Sequence, residues 1–173
     1  MQQTGNLPPA PLYEVIVGGD NTINTSWKNW FGQLYGKIGG AGSSDFTPTI
    51  STDGTTGTVT YVTQTGRYTK LGTIRIVEFV IEISNWTGAP TGDVIIGGFP
   101  EAFALTSSCG TVGLYNKITL NAGHSQLALV GNSGSTYAYL YSSGSGAGVS
   151  AAKIPVANVA TTAKIVGSIT YSV

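Results

Sequence analysis

Two hydrophobic periods divide this chain. Between residues 25 and 40 the apolar positions Trp27, Trp30, Phe31, Leu34, Tyr35 and Ile38 recur at i, i+3, i+4, i+7, i+8 and i+11. That spacing predicts one amphipathic helix with a single apolar face. Thr25 or Ser26 can cap its start and Gly39-Gly40 can end it. Gly32 and Gly36 lie inside it, each costing about 0.8–1.0 kcal/mol relative to alanine, so the helix is marginal alone. Four aromatics on one face need cover. The cover can be the chain's own sheet, a second copy or a different protein, and Trp27, Phe31, Leu34 and Ile38 also fit the seam of a short coiled coil.

Past a Gly/Ser/Thr-rich stretch, read as a linker over 41–57, the period becomes two and stays there. Strands are predicted over 58–63, 74–84, 94–96, 110–115, 126–130, 136–141 and 164–173. Turn signals such as DGTTG, TGAPTGD, NAGHS and GNSGS separate them. Short strands with glycine-rich connections predict an all-β domain over 58–173, a jelly-roll-like antiparallel β-sandwich. Residues 1–24, with NLPPAPL, are proline-punctuated and extended. They read as a loose tail or as an arm lying on another protein.

The strand over 74–84 sets Val77, Phe79, Ile81 and Ile83 on one face and Ile76, Glu78, Val80 and Glu82 on the other. Four residues of extended chain separate Glu78 from Glu82 by roughly 13 Å. Retaining glycosidases need about 5–5.5 Å between their carboxylates and inverting ones about 6.5–9.5 Å. The glutamates therefore read as charges on the wetter face of a sheet.

Composition narrows the partners. Only 9% of the 173 residues are charged, and eight basic side chains balance eight acidic ones. Binding to a phosphate backbone by counterion release is not expected, so nucleic acid is excluded as a partner. The 25 glycines, about twice the ordinary share, suit many tight turns. Cys109 is the one cysteine, which rules out an internal disulfide and a cysteine metal cluster. No secretory signal is expected at MQQTGNLPPAPL and no apolar run reaches the roughly 18 residues of a membrane helix, so no membrane partner is expected. The chain reads as soluble, with assembly completed in a reducing cell interior.

Catalytic constellations are not expected, nor is a cofactor or metal. His124, in the turn-like NAGHSQL, has no Gly-x-Ser-x-Gly elbow to serve. GQLYGK lacks phosphate-loop glycine spacing and places Ile38 where a Mg²⁺-holding hydroxyl belongs. Asp53 and Asp93 are turn residues without calcium-loop spacing. The aromatics are more informative. Tyr137, Tyr139 and Tyr141 line one face of a strand, and Trp86 lies in the turn-like SNWTGAP. Such rings can stack on a sugar's C–H face, or pack against a neighbouring strand or subunit.

YVTQTGRYTKLGTIRIVEFVIEIS followed by TGAPTGDVIIGGFP resembles a pattern of bacteriophage tail fibres and related virion proteins, on Gly66, Tyr68 and Gly72, then Thr91, Gly92, Ile96, Gly98 and Pro100. Phe99 departs from the leucine usual before that proline. LPPAPL with SWKNWFGQLYGKIG is similar to the amino-terminal segment of small phage virion proteins. The resemblance covers roughly residues 7–38 and 61–100. It implies a homotrimeric β-sandwich knob on a virion, with a Gly66-x-Tyr68-x-x-x-Gly72 turn feeding a long strand. It also implies attachment to other phage proteins (tail, portal-proximal or capsid) through the N-terminal segment, and assembly in the bacterial cytoplasm. The function implied is a tail-fibre or receptor-binding protein touching a host surface glycan or protein. The alternative is a capsid decoration protein or head fibre. A polysaccharide depolymerase would need an acid pair that the sequence does not supply.

Overall fold

The computed structural model describes residues 9–11, 23–38, 42–105, 108–146 and 148–173. Helix α1 spans Thr25–Ile38, as its apolar period requires. Its cap is neither Thr25 nor Ser26 but Asn24. The Asn24 Oδ1 accepts from the Ser26 N–H at 2.8 Å, and its carbonyl accepts the first intrahelical bond, from Lys28 N–H at 3.0 Å. Gly39-Gly40, expected to end the helix, and most of the expected arm over 1–24 lie outside the described residues.

Ten strands follow among the described residues: β1 Gly42–Phe46, β2 Thr49–Thr52, β3 Thr58–Leu71, β4 Ile74–Thr87, β5 Val94–Gly97, β6 Cys109–Ile118, β7 Gln126–Gly131, β8 Ala138–Ser143, β9 Ala152–Lys153 and β10 Val159–Ser172. They form one antiparallel sheet in the order β1-β3-β4-β10-β6-β7-β8-β5-β2, with β9 beside β8. The sheet curls until its far end meets its near end. There the Gln64 amide donates to the Pro48 carbonyl at 2.9 Å, and the Ile50 N–H donates to the Tyr61 hydroxyl at 3.3 Å. The result is an all-β, sandwich-like domain whose two halves bury one core.

That core is built from the period-two alternation. Val77, Phe79, Ile81 and Ile83 of β4 face in together with Ile165, Ile169 and Tyr171 of β10, while Glu78, Glu82, Lys164 and Ser168 face out. β10 runs between β4 and β6, so the last strand of the chain lies mid-sheet. Across the core stand Val94, Ile96, Leu127, Leu129, Leu140 and Ile154. Burying each aliphatic side chain contributes on the order of 1.5–3 kcal/mol.

Two expectations change. The linker over 41–57 carries β1 and β2, which are bonded to β3 and β5 respectively and fill the two edges of the sheet. Of the turn expected over Gly66–Gly72, Gly66 and Tyr68 lie inside β3, which runs on to Leu71, and only Gly72 is at the turn. The turn belongs to Gly72 and Thr73, a two-residue loop between the paired residues Leu71 and Ile74. Gly72 has φ +58° and Thr73 does not share the positive φ, the pattern of a type II′ hairpin.

Candidate functional site

β8 and its neighbours gather aromatic and charged side chains on one surface. Ala138, Leu140 and Ser142 point into the core, so pleating sends Tyr139 and Tyr141 outward, with Tyr137 at the strand's entrance. Tyr137 and Tyr139 meet edge to face with ring centroids 5.6 Å apart. β9 sets Lys153 directly opposite Tyr141. The Lys153 ammonium reaches over the Tyr139 ring, 3.5 Å from its centroid, a cation–π contact. It also lies 3.6 Å from an Asp53 carboxylate oxygen and 3.7 Å from one of Asp93. The two aspartates are brought together from the β2 exit and the β5 entrance, where the Asp53 carboxylate accepts from the Asp93 N–H at 2.7 Å.

These contacts set the electrostatics. Burial, then the Tyr137 hydroxyl, pushes the Tyr139 phenol above its ordinary range. Burial works against the Lys153 ammonium, but Tyr139, Asp53 and Asp93 outweigh it and hold the group above the usual lysine value. The stripe read from the sequence is therefore not uniform. One face of Tyr139 is committed to Lys153, while Tyr137 and Tyr141 are half-buried and keep part of their rings in solvent. Two partly open rings beside an ammonium, two carboxylates and phenol hydroxyls offer stacking surface and both signs of hydrogen-bond partner. That combination suits a hydroxyl-rich ligand.

Trp86 does not join this surface. It lies within β4, 4% exposed, and its indole N–H donates to the Thr56 carbonyl at 2.6 Å. Its ring is core, too little exposed for a sugar to stack on, and the turn begins only at the following Gly88. Glu78 and Glu82 remain four residues apart on the outer face of β4. Glu82 pairs with Lys164 at 2.9 Å.

Sequence reasoning missed the neighbour of His124. Its Nδ1 lies 2.7 Å from the Ser142 Oγ, the contact expected of a nucleophile and its base. Ser142 is fully buried, however, and its Oγ also accepts from the Asn121 amide at 3.0 Å. Asn121 further donates to the Lys153 carbonyl at 3.1 Å. No substrate carbonyl can reach that hydroxyl. The network holds the 121–124 turn against β8 and β9.

The helix face presents a second surface. Trp27, Trp30 and Phe31 pack on one another at centroid separations of 5.3–5.8 Å. None of the described residues of α1 belongs to the core cluster, and Phe31 and Tyr35 are 45% and 73% exposed. Leu34 is half-buried, and the Ile38 side chain lies outside the described residues. No described helix is long and apolar enough to cross a membrane, and no group of three metal-ligating side chains occurs among the described residues.

No protein-family profile matches the chain, and no curated protein sequence matches it. Among solved structures, the fold is similar to that of the Dettilon tailspike protein gp208, with a TM-score of 0.61 over 76% of this chain at 19% identity. This chain spans 24% of that tailspike's length.

Proposed function

We infer that this chain is a structural component of a bacteriophage tail, held to the virion by its N-terminal segment and displaying the β-domain toward the host surface. The carrying observation is the sheet shared with a phage tailspike over three quarters of the chain, at a TM-score well above chance likeness. It agrees with the tail-fibre-like pattern on Gly66, Tyr68, Gly72 and Gly92. It also favours a tail position over a capsid-decorating one. In this reading the division of labour follows the two surfaces. The Trp27-Trp30-Phe31 face of α1, with Leu34, Tyr35 and Ile38, meets other virion proteins or further copies of the chain in a trimer. The Tyr137, Tyr139 and Tyr141 side meets host glycan without cleaving it.

Immunogold labelling of intact particles tests the placement: label at the tail tip supports the reading, and label spread over the capsid overturns it. Glycan arrays probed with the purified chain test the contact surface. Tyr137→Ala combined with Tyr141→Ala should abolish any host-glycan signal, whereas Trp86→Phe should keep it as long as the fold survives.

A further inference from the structure

Asp53 and Asp93 sit on two loops that are clamped to each other. The Asp53 N–H donates to the Asp93 carbonyl at 3.1 Å, and the Asp93 N–H donates back to Asp53 Oδ1 at 2.7 Å. Further along the loops, the Thr91 N–H donates to the Thr55 carbonyl at 2.9 Å and the Thr55 N–H to Thr91 Oγ1 at 3.2 Å. Gly92 lets the loops come this close. It has φ +94°, and a Cβ there would stand 2.5 Å from Asp53 Oδ1 and 2.7 Å from the Gly54 nitrogen. Thr91 and Gly92, two positions of the tail-fibre-like pattern, thereby fix the Asp53 carboxylate beside Asp93.

The clamp leaves hydrogen-bonding capacity unspent. Lys153 Nζ lies 3.6 Å from Asp53 Oδ2 and 3.7 Å from Asp93 Oδ2, beyond the roughly 2.7–2.9 Å of a charge-assisted hydrogen bond. The ammonium therefore offsets charge without occupying the carboxylate lone pairs. Among the described residues, the Asp93 N–H is the one donor that hydrogen-bonds to either carboxylate. All three side chains are 31–35% exposed, within reach of a ligand. The same ammonium covers Tyr139, so the aromatic and acidic groups form one site. Two carboxylates against one ammonium leave that site with an excess of negative charge.

We propose that Asp53 and Asp93 determine which glycan the tyrosine surface takes: a neutral, hydroxyl-rich one, with acidic glycans rejected. A sugar hydroxyl that donates to a carboxylate makes a charge-assisted bond, roughly twice as strong as one between neutral groups. Because the two acceptors are fixed before the ligand arrives, little side-chain freedom is lost on binding. A uronate, sialate or phosphate group would instead meet two carboxylates that a single ammonium only partly offsets. Like charges brought together in this way count against the wrong ligand. A cationic amino sugar would meet the Lys153 ammonium, already beside both carboxylates. Ligand charge of either sign is opposed, whereas hydroxyls find both acceptors and stacking surface.

This inference rests on the host-glycan contact proposed above. It is tested by titrating the labelled intact chain over an array of bacterial surface oligosaccharides, neutral ones printed beside ones bearing uronate, sialate or phosphate groups. The wild type should bind neutral glycans about tenfold or more tighter than acidic ones. Asp53→Asn with Asp93→Asn, nearly isosteric and checked by circular dichroism to be folded, leaves the Lys153 ammonium as the site's one charge. That variant should bind neutral glycans about tenfold or more weakly than wild type and should prefer acidic ones. Asp45→Asn with Glu78→Gln removes the same charge from another face of the sheet and should leave the wild-type preference in place. A wild type that binds no glycan overturns the host-glycan reading and this assignment together. A wild type that binds acidic glycans as tightly as neutral ones overturns this assignment alone, and leaves the Tyr137 and Tyr141 contact standing. So does an unchanged preference in the Asp53/Asp93 variant, or an equal shift in the Asp45/Glu78 variant.

Discussion

Arg75 donates to both carboxylate oxygens of Glu101, from Nε to Oε1 at 3.0 Å and from Nη2 to Oε1 and Oε2 at 2.6 Å each. Arg75 is only 2% exposed, yet it faces the core from the hairpin end of β4. Its remaining donor, Nη1, serves the carbonyls of Gly72 and Ile74. The Tyr171 hydroxyl of β10 donates to the Glu101 carbonyl at 3.1 Å, tying the 98–103 connection to the same corner. A buried guanidinium is tolerated only because every side of it is answered.

Removing the counter-charge therefore strands Arg75. Glu101→Gln should destabilise the domain by about 2–3 kcal/mol at neutral pH, less than the 3–5 kcal/mol of a fully buried pair because the carboxylate is partly exposed. Hydrogen bonding from Arg75 holds the Glu101 carboxyl below its ordinary range, against the opposing effect of burial. A carboxyl with a lowered folded-state value contributes stability above its unfolded value and loses it as pH falls through the folded value. Melting curves from neutral to acid pH should show the gap between wild type and Glu101→Gln closing as the solution is acidified. A gap constant down to the acid limit would remove the carboxylate from this account.

Gly66 is a motif position that gains a physical reason from its neighbour. The Phe46 ring of β1 lies over it, so a Cβ there would come within 2.4 Å of Cε1 and 2.6 Å of Cζ. Gly66→Ala should cost about 1–3 kcal/mol by overpacking or by displacing the ring. Phe46→Ala in the same chain should recover part of that loss, giving a non-additive double-mutant cycle in urea melts. Simple additivity would mean that the ring does not set the glycine.

Sequence reading reached the long elements because their periods are set by burial on one side. In β4 the inward residues from Val77 to Ile83 are aliphatic or aromatic, and in α1 the apolar stripe repeats over three turns. β1 and β2 escaped it because GSSDF and TIST carry one large side chain each, so their strand character comes from the pairing with β3 and β5. Trp86 was misplaced because Gly88-Ala89-Pro90 marks a turn whose first residue lies two positions later. The parity of Arg75 with Val77 puts it on the inner face, but its partner Glu101 lies 26 residues further on and no local pattern announces the pair. The Lys153–Tyr139–Asp53–Asp93 cluster joins four distant segments, and no local pattern announces it.

The helix face should matter for assembly and not for folding. Trp30→Ser with Phe31→Ser removes two rings that are not members of the β-domain core cluster. The β-domain melting temperature should stay within about 2 °C of wild type, in keeping with surface changes that touch no buried feature. Incorporation into particles, read by immunoblot of purified virions, should fall sharply. Normal incorporation would end the anchoring role of this face.

The two ends of the chain should differ in what they cost to lose. Residues 169–173 close β10 between β4 and β6, and Ile169 and Tyr171 are 2% and 3% exposed in the core. Their removal also takes the hydroxyl that ties Glu101 and the backbone bond from Val173 N–H to Thr73 O at 2.9 Å. At about 1.5–3 kcal/mol for each, the two buried side chains contribute about 3–6 kcal/mol, comparable to the lower end of the 5–15 kcal/mol of a typical domain. None of the described residues among 1–24 belongs to the core cluster, and deleting residues 1–24 should leave the melting transition of the β-domain in place. A version beginning at Gly42 should fold as well, whereas one beginning at Asp45 loses three residues of β1 and exposes part of the β3 edge. Thermal melts of the four truncations provide the comparison. If the deletion of residues 1–24 proves more damaging than that of residues 169–173, the arm belongs to the fold and the β-domain cannot be treated as independent of it.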